Sequence, residues 1–429
     1  MSCPAGWETR RLKFVATCND EALPEGTDPD FEIAYVDISS VDLIDGITAM
    51  DMLTFEQAPS RARRIVKDGD TLISTVRTYL KAIAPVNEPP VNMIVSTGFA
   101  VVRPLAFMDS GFLGYALQNA GFIDAVVANS TGVSYPAINP TALICLRIAY
   151  PTNKEEQRRI AVFLDWKTGQ IDALIAKKKE LMDKLKEKRL AVITQAVTKG
   201  LDPNAPMRDS NIPWLDEVPA HWEIRRLKFA ASAPLKYGAN EAAELNDPEL
   251  PRYIRITDVK DDGNLHEDTF RSLPLDIAAP YLLEDGDILL ARSGATVGKS
   301  FQYLNAWGRA AYAGYLIRFR VDRTLVKPRF AYYFLRSELY WASVNSSMIQ
   351  STIQNFSAEK YADINFFLPP LDEQELIVEF LEIHWARLEE MQNATQNAIA
   401  HLTEYRTALI TAATTGKIDV RQVVTPAPT

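Results

Sequence analysis

Trp7-Glu8-Thr9-Arg10-Arg11-Leu12-Lys13-Phe14, near the start of the chain, returns 215 residues later as Trp222-Glu223-Ile224-Arg225-Arg226-Leu227-Lys228-Phe229. Working outward from this pair, DGDTLIS at 68–74 answers DGDILLA at 285–291, and PTNKEEQRRI at 151–160 answers PPLDEQELI at 369–377. RLAVITQAVTKGLD (189–202) then matches RTALITAATTGKID (406–419) at an offset of 217. Chance yields one such echo. Four in the same order, at nearly one offset, mark an internal duplication.

Each half reads as a mixed segment of about 150 residues followed by a long helix. The mixed segments, 1–150 and 221–370, hold short β-rich runs (Thr71 to Val76, Val95 to Val102, Ile288 to Ala291, Tyr315 to Val321) separated by Gly, Pro and Asp turns, so the fold class is α/β (α+β). Residues 203–220 are Pro- and Asp-rich and aperiodic, which predicts a linker. The end of the chain, 418–429, reads as a frayed tail.

The spacer helices are expected over 151–202 and 371–417. Alternating steps of four and three from Ile377 reach Leu381, His384, Leu388, Met391, Thr395, Ala398, Leu402, Tyr405 and Leu409; the same steps from Ile160 reach Leu164, Lys167, Ile171, Leu174, Lys178, Leu181, Leu185, Lys188 and Val192. Both are heptad seams, mostly apolar. Residues 154–199 carry 12 basic and 7 acidic side chains, whereas 372–417 carry 3 basic and 8 acidic. Opposite fields favour pairing of one helix with the other over pairing with its own copy. An antiparallel pair following two globular domains predicts a dumbbell with pseudo-twofold symmetry. Two ordinary amphipathic helices, each packed on its own domain, are the alternative.

Composition narrows the class of function. The 429 residues are 47% apolar and 24% charged, with no apolar run of membrane-spanning length, and the N-terminus lacks a signal-peptide core. Cys3, Cys18 and Cys145 form neither a disulfide framework nor a metal spacing, which predicts a reducing cytoplasm. The net charge of −9 confines any nucleic-acid surface to a local patch. Residues 1–150 carry 11 basic and 17 acidic side chains, and 221–370 carry 18 of each. The four histidines show no ligand spacing, and Asn87-Glu88-Pro89-Pro90 is an interrupted relative of an amino-methyltransferase motif that lacks its aromatic. No catalysis by this chain alone is expected.

Two related modules at a fixed separation suit a DNA site of two half-sites. A helix of about 40 residues is about 60 Å long, or roughly 18 base pairs, so the gap between half-sites is expected to be shorter than that. WETRRLKF and WEIRRLKF, the inter-repeat MRDSNIPWLDEVPAHWE, QSTIQNFS at 350–357, and PLDEQ with the helix ending LITAATTGKIDV together resemble type I restriction-modification specificity subunits. The resemblance covers almost the entire chain. The first half departs from it at Ser134-Tyr135-Pro136-Ala137-Ile138-Asn139-Pro140, where STIQNFS would repeat. The resemblance implies a non-catalytic subunit whose two target-recognition domains each read half of a split DNA sequence. It also implies two modification subunits that bind S-adenosylmethionine and methylate adenine, and restriction subunits that use ATP and Mg.

Candidate DNA contacts in the first domain are Arg61, Arg63, Arg64, Lys67, Arg77, Tyr79 and Lys81, its densest basic stretch. In the second, LKYGAN (235–240) resembles the first loop of many recognition domains and offers Lys236 and Tyr237. Arg292, Ser293, Thr296 and Lys299 follow the DILLA strand, in register with Ser74 to Lys81. Solvated faces and a plain turn at Gly238 are the alternatives. SGATVGKS (293–300) nearly matches a phosphate-binding P-loop but has Ser293 where Gly is required. A P-loop ATPase and a coiled-coil scaffold are the two competing functions.

Overall fold

The computed structural model describes residues 4–212, 215–260, 263–348, 355–421 and 423. The chain divides into two compact units, Met1–Glu180 with Thr395–Thr429, and Leu181–Ala394. Each unit therefore owns one mixed α/β domain, the beginning of one long helix and the end of the other.

In the first unit, strand Trp7–Arg11 pairs antiparallel with Arg147–Pro151, tying the start of the domain to the strand that feeds the first long helix. An antiparallel sheet orders Ala16–Cys18, Phe99–Pro104, Thr71–Ser74 and Ile83–Pro85, and a mixed sheet orders Asp51–Thr54, Glu32–Val36, Met93–Ser96 and Ala62–Ile65. The β-rich run 95–102 is thus two strands, broken at Thr97 and Gly98. One core joins Leu12, Phe112 and Leu113 of the domain to Ile160, Leu164, Ile171 and Ile175, and to Leu409, Ile410 and Ala413.

The second unit repeats the plan. Glu223–Arg226 pairs antiparallel with Asn365–Leu368, and a sheet orders Lys236–Tyr237, Leu316–Phe319, Ile288–Ala291 and Ser300–Gln302. Its core joins Trp222, Leu227 and Phe330 to Ile193, Ala196 and Val197, and to Ile377 and Leu381.

The first long helix runs over Lys154–Lys199 and the second over Leu371–Thr414. Acidic residues open both (Glu155 and Glu156; Asp372 and Glu373), where the helix dipole favours negative charge. A glycine in the left-handed region stops each: Gly200 (φ +74°) and Gly416 (φ +69°). A Cβ on Gly200 would meet the Trp222 ring at 3.2 Å, and one on Gly416 would meet the Trp7 ring at 3.1 Å. The repeated tryptophan is the lid on a helix end.

The two helices pair, but the seam differs from the strict heptad. Ile160, Leu164, Ile171, Leu185, Ile377, Leu381 and Leu388 are buried and Leu402 is half-buried, whereas Leu174, Leu181, Met391 and Tyr405 are exposed. Two steps of four come first (Ile160, Leu164, Thr168; Ile377, Leu381, Trp385), after which the three-four alternation resumes on Ile171, Ile175 and on Leu388. The reason is geometric: an α-helix has 3.6 residues per turn, so a strict 3.5 repeat drifts off the buried face. The corrected seam places Arg189 and Arg406 at equivalent positions, 217 residues apart.

Two further expectations change. The stretch read as a linker forms two paired strands, Met207–Ile212 with Leu215–Pro219, because Ser210, Ile212 and Val218 turn inward and Asp209 accepts the Asn211 amide where the register shifts. In the tail, Val420 is buried in the core of the first unit; residues 422 and 424–429 lie outside the described residues. No helix among the described residues is long and apolar enough to cross a membrane.

Candidate nucleic-acid interface

The duplicated DGD motif anchors the strand that carries each candidate loop. Buried Asp70 accepts two hydrogen bonds from Arg103, Nε to Oδ1 and Nη2 to Oδ2, both at 2.8 Å, and also accepts the Lys67 amide. Arg320 makes the same fork on buried Asp287, at 2.8 and 2.7 Å, and Asp287 accepts the Glu284 amide. Bidentate pairing of this kind fixes geometry as well as charge. Hydrogen bonding to Asp70 raises the pKa of Arg103, and that to Asp287 raises the pKa of Arg320.

At the far end of each strand the loop root is also shared. Thr75 accepts the Ile138 amide at 2.9 Å, and Arg292 accepts the Phe356 amide at 2.8 Å. Ile138 and Phe356 are buried; Asn139 then caps helix Pro140–Leu143, as Ser357 caps Ala358–Ala362. The divergent stretch 134–140 therefore does the same structural work as NFS at 355–357. Residues 350–354 of QSTIQNFS lie outside the described residues.

In the first domain, Arg61 binds Asp37 at 2.9 Å and donates to the Tyr35 hydroxyl, Arg63 lies 4.5 Å from the Phe55 ring, and Lys67 is held by Glu21. The Nε of Arg64 is buried without a hydrogen-bond partner among the described residues. Lys67 sits before the Thr71–Ser74 strand and the 77–81 loop after it, so these candidates occupy opposite ends of one strand. Arg77 (φ +50°) and Lys81 (φ +54°) flank the turn Thr78–Leu80 in the left-handed region, a strain that persists only where surroundings impose it. Buried Thr78 supplies the anchor through Ser130 at 2.8 Å. Tyr79 and Leu80 are thereby held out in solvent, and Arg77 stacks 5.0 Å from the exposed Tyr135 ring. Leu80 and Tyr135 gave no sequence signal, since neither is charged.

In the second domain, Lys236 donates to the Pro280 carbonyl at 2.9 Å. Tyr237 accepts the Ala358 amide and lies 4.7 Å beneath Arg292, whose Nε reaches Asn355 at 3.3 Å. Gly238 is more than a turn: a Cβ there would sit 2.2 Å from the Tyr312 carbonyl oxygen. Ser293 pairs with Asn355, so Tyr237, Arg292, Ser293 and Asn355 gather at one loop root. Thr296 and Lys299 instead line a cavity of about 230 Å³ with Lys260, Arg336 and Trp341. Those cations favour an anion such as a phosphate.

The P-loop alternative fails on geometry. Gly294–Thr296 is one 3-10 turn followed by strand Ser300–Gln302, so no helix N-terminus faces a phosphate. The Gly298 amide is used within the domain, bonding the Ala291 carbonyl and the Tyr361 hydroxyl, the latter pushed up to about 12 by burial. Among the described residues no group of three His, Cys, Asp or Glu side chains could hold a metal ion.

Residues 222–400 match the model of the family described as type I restriction modification DNA specificity domain. The matched stretch lies in the second half of the chain and covers less than half of its length. The StySPI specificity subunit of Salmonella potsdam is 24% identical over 331 residues, spanning 74% of this chain and 67% of that protein. The EcoKI specificity subunit of Escherichia coli K12 is 24% identical over 329 residues, spanning 74% and 68%. A structure from a study of complex assembly and conformational transition of the type I R-M system shares the fold, with a TM-score of 0.75 at 22% identity over 97% of this chain and 100% of that one. Type I specificity subunits recognise DNA and are not themselves catalytic.

Proposed function

We propose that this chain is a type I specificity subunit that reads a two-part DNA sequence, one part with each recognition domain, and directs adenine methylation and restriction by partner subunits. One observation carries the reading. The domains share the clamped strand, its sheet order and its loop root, yet end that strand in chemically different loops: Arg77-Thr78-Tyr79-Leu80-Lys81 in one and Ser293-Gly294-Ala295-Thr296 in the other. Readers of two different half-sites need that combination of common scaffold and private contact surface.

In this reading Arg77, Tyr79 and Lys81 meet the first half-site, with Arg61, Arg63, Arg64 and Lys67 on the flank. Tyr237, Arg292, Ser293, Thr296 and Lys299 meet the second, with Lys236 alongside. The long helices act as the spacer. Two modification subunits supply S-adenosylmethionine-dependent methylation and much of the phosphate grip that an acidic chain lacks. Restriction subunits supply ATP- and Mg-dependent chemistry, and the complex works in the cytoplasm.

Single-molecule mapping of methylated adenine in cells that co-express this chain with its modification subunit tests the reading. The expected result is a two-part motif with a fixed gap, absent when the chain is omitted. A stable complex that adds no new methylation would overturn it.

A further inference from the structure

The loop that follows Thr71–Ser74 in the first domain ends in an apolar tip. Tyr79 is 52% exposed and Leu80 51% exposed, and Val133 and Tyr135 of the neighbouring 131–137 loop also stand in solvent. The two loops are tied together: the Thr78 amide donates to the Pro136 carbonyl, Val76 and Thr131 both bridge to Ala137, and buried Thr78 bonds Ser130 at 2.8 Å. Left-handed Arg77 and Lys81 close the turn, through the Leu80 amide to the Arg77 carbonyl at 2.9 Å and the Lys81 amide to the Thr78 carbonyl at 3.1 Å. A strained turn tied in this way holds two large apolar side chains at a fixed height. Exposing them forgoes the stabilisation of burial, so their use is to be sought outside the domain.

We infer that Tyr79 and Leu80 form a wedge that enters the base stack of the first half-site and opens one base step; the inference rests on the DNA reading of the preceding section. The occupant follows from the chemistry of the tip. Exposed Arg77 and Lys81 flank it, and among the described residues no carboxylate pairs with either. Arg77 lies 5.0 Å from the Tyr135 ring, and a guanidinium stacked on a ring keeps its N–H edge for a phosphate. The matching ligand is flat and apolar in the middle and anionic on both sides, as two stacked bases are between their phosphates. Leucine has neither donor nor acceptor, so Leu80 reads no base edge by hydrogen bonding. A thymine methyl would accept it, but would not call for a tip held by two left-handed residues. Insertion between bases does, because only a rigid apolar side chain keeps a step unstacked.

The second domain lacks the device. Its equivalent loop, Ser293-Gly294-Ala295-Thr296, carries no side chain larger than threonine, and Arg292 at its root is folded onto Tyr237 at 4.7 Å. The duplex is therefore opened in one half-site only, and specificity in that half includes a step that no side chain hydrogen-bonds. Pyrimidine–purine steps unstack most easily, so the opened step is expected to be one of these.

The complex of the full chain with its modification subunit, bound to a duplex that carries the methylated motif, tests this with 2-aminopurine placed at successive positions. Fluorescence is expected to rise at one step of the half-site that the first domain reads, away from the methylated adenines, and at no such step of the other half. Tyr79→Ala with Leu80→Ala is expected to abolish that rise and to weaken binding about tenfold. Tyr79→Phe with Leu80→Met, which keeps the apolar bulk, is expected to preserve both. Motif-specific methylation with no bright step away from the methylated adenines would overturn the inference. So would a bright step that survives in the double alanine variant, shown to be folded by its thermal melt. A double alanine variant that keeps the bright step and sheds the modification subunit would also overturn it, and would give the tip to a protein partner. Absence of any two-part methylated motif would instead remove the DNA reading on which the wedge rests.

Discussion

The first recognition domain holds its loop-bearing strand by Asp70 and Arg103, the second by Asp287 and Arg320, and there the likeness of the two loops stops. In the first, two residues forced into the left-handed region push Tyr79 and Leu80 into solvent. In the second, Arg292 is folded onto Tyr237 and tied to Asn355, and Thr296 and Lys299 turn to a cavity. The comparison teaches where the duplicated chain was free to change. Groups whose partners lie inside the domain stayed fixed, since loss of either partner strands a buried charge. The loops beyond the clamped strands diverged.

The seam repeats the lesson with a different outcome. Arg406 reaches Asp172 at 2.9 Å in the first unit. Its counterpart Arg189 lies 3.0 Å from the Trp385 ring in the second, where burial and nearby Arg336 lower its pKa to about 10. One position thus forms an ion pair in one unit and a cation–π contact in the other, decided by Trp385 standing where the first helix has Thr168.

The widest break in the comparison is expected from the clamps. Asp70→Ala and Asp287→Ala should each cost about 3 kcal/mol, because a partly buried arginine loses its bidentate carboxylate and keeps only Glu21 or Glu284; urea unfolding that separated the two by more than twofold would show the clamps are not equivalent. Gly238→Ala should destabilise the second unit by about 2 kcal/mol through the clash with the Tyr312 carbonyl, a cost to be read from hydrogen exchange in that unit alone.

Loop variants sharpen the functional half of the comparison. Tyr79→Ala with Leu80→Ala should relax the first half of the methylated motif, by about 1–3 kcal/mol per affected base pair, and leave the second half intact. Thr296→Ala with Lys299→Ala should do the reverse. Loss of both halves from either pair would end the assignment of one half-site to each domain. The smallest effects belong to the caps: Asn139→Ala and Ser357→Ala should each lower stability by about 1 kcal/mol, equal effects in thermal melts marking the two stretches as one structural device.

The sequence by itself determined the duplication, its 217-residue register and the two long helices. Repeats and helical periodicity are written along the chain, and neighbours three and four apart meet whatever else the protein does. It placed the candidate loops at the ends of equivalent strands for the same reason. Tertiary structure alone decided which helix face is buried, since a drift of about 20° per heptad separates a strict 3.5 repeat from a buried stripe. It decided that Met207–Ile212 pairs with Leu215–Pro219, because burial of Ile212 and Val218 needs a core built by residues far away in the chain. It also decided which exposed cations are already paired: Arg61, Lys67 and Lys236 look the same as Arg77 in one dimension, and only the placement of Asp37, Glu21 and the Pro280 carbonyl beside them occupies their charge within the domain.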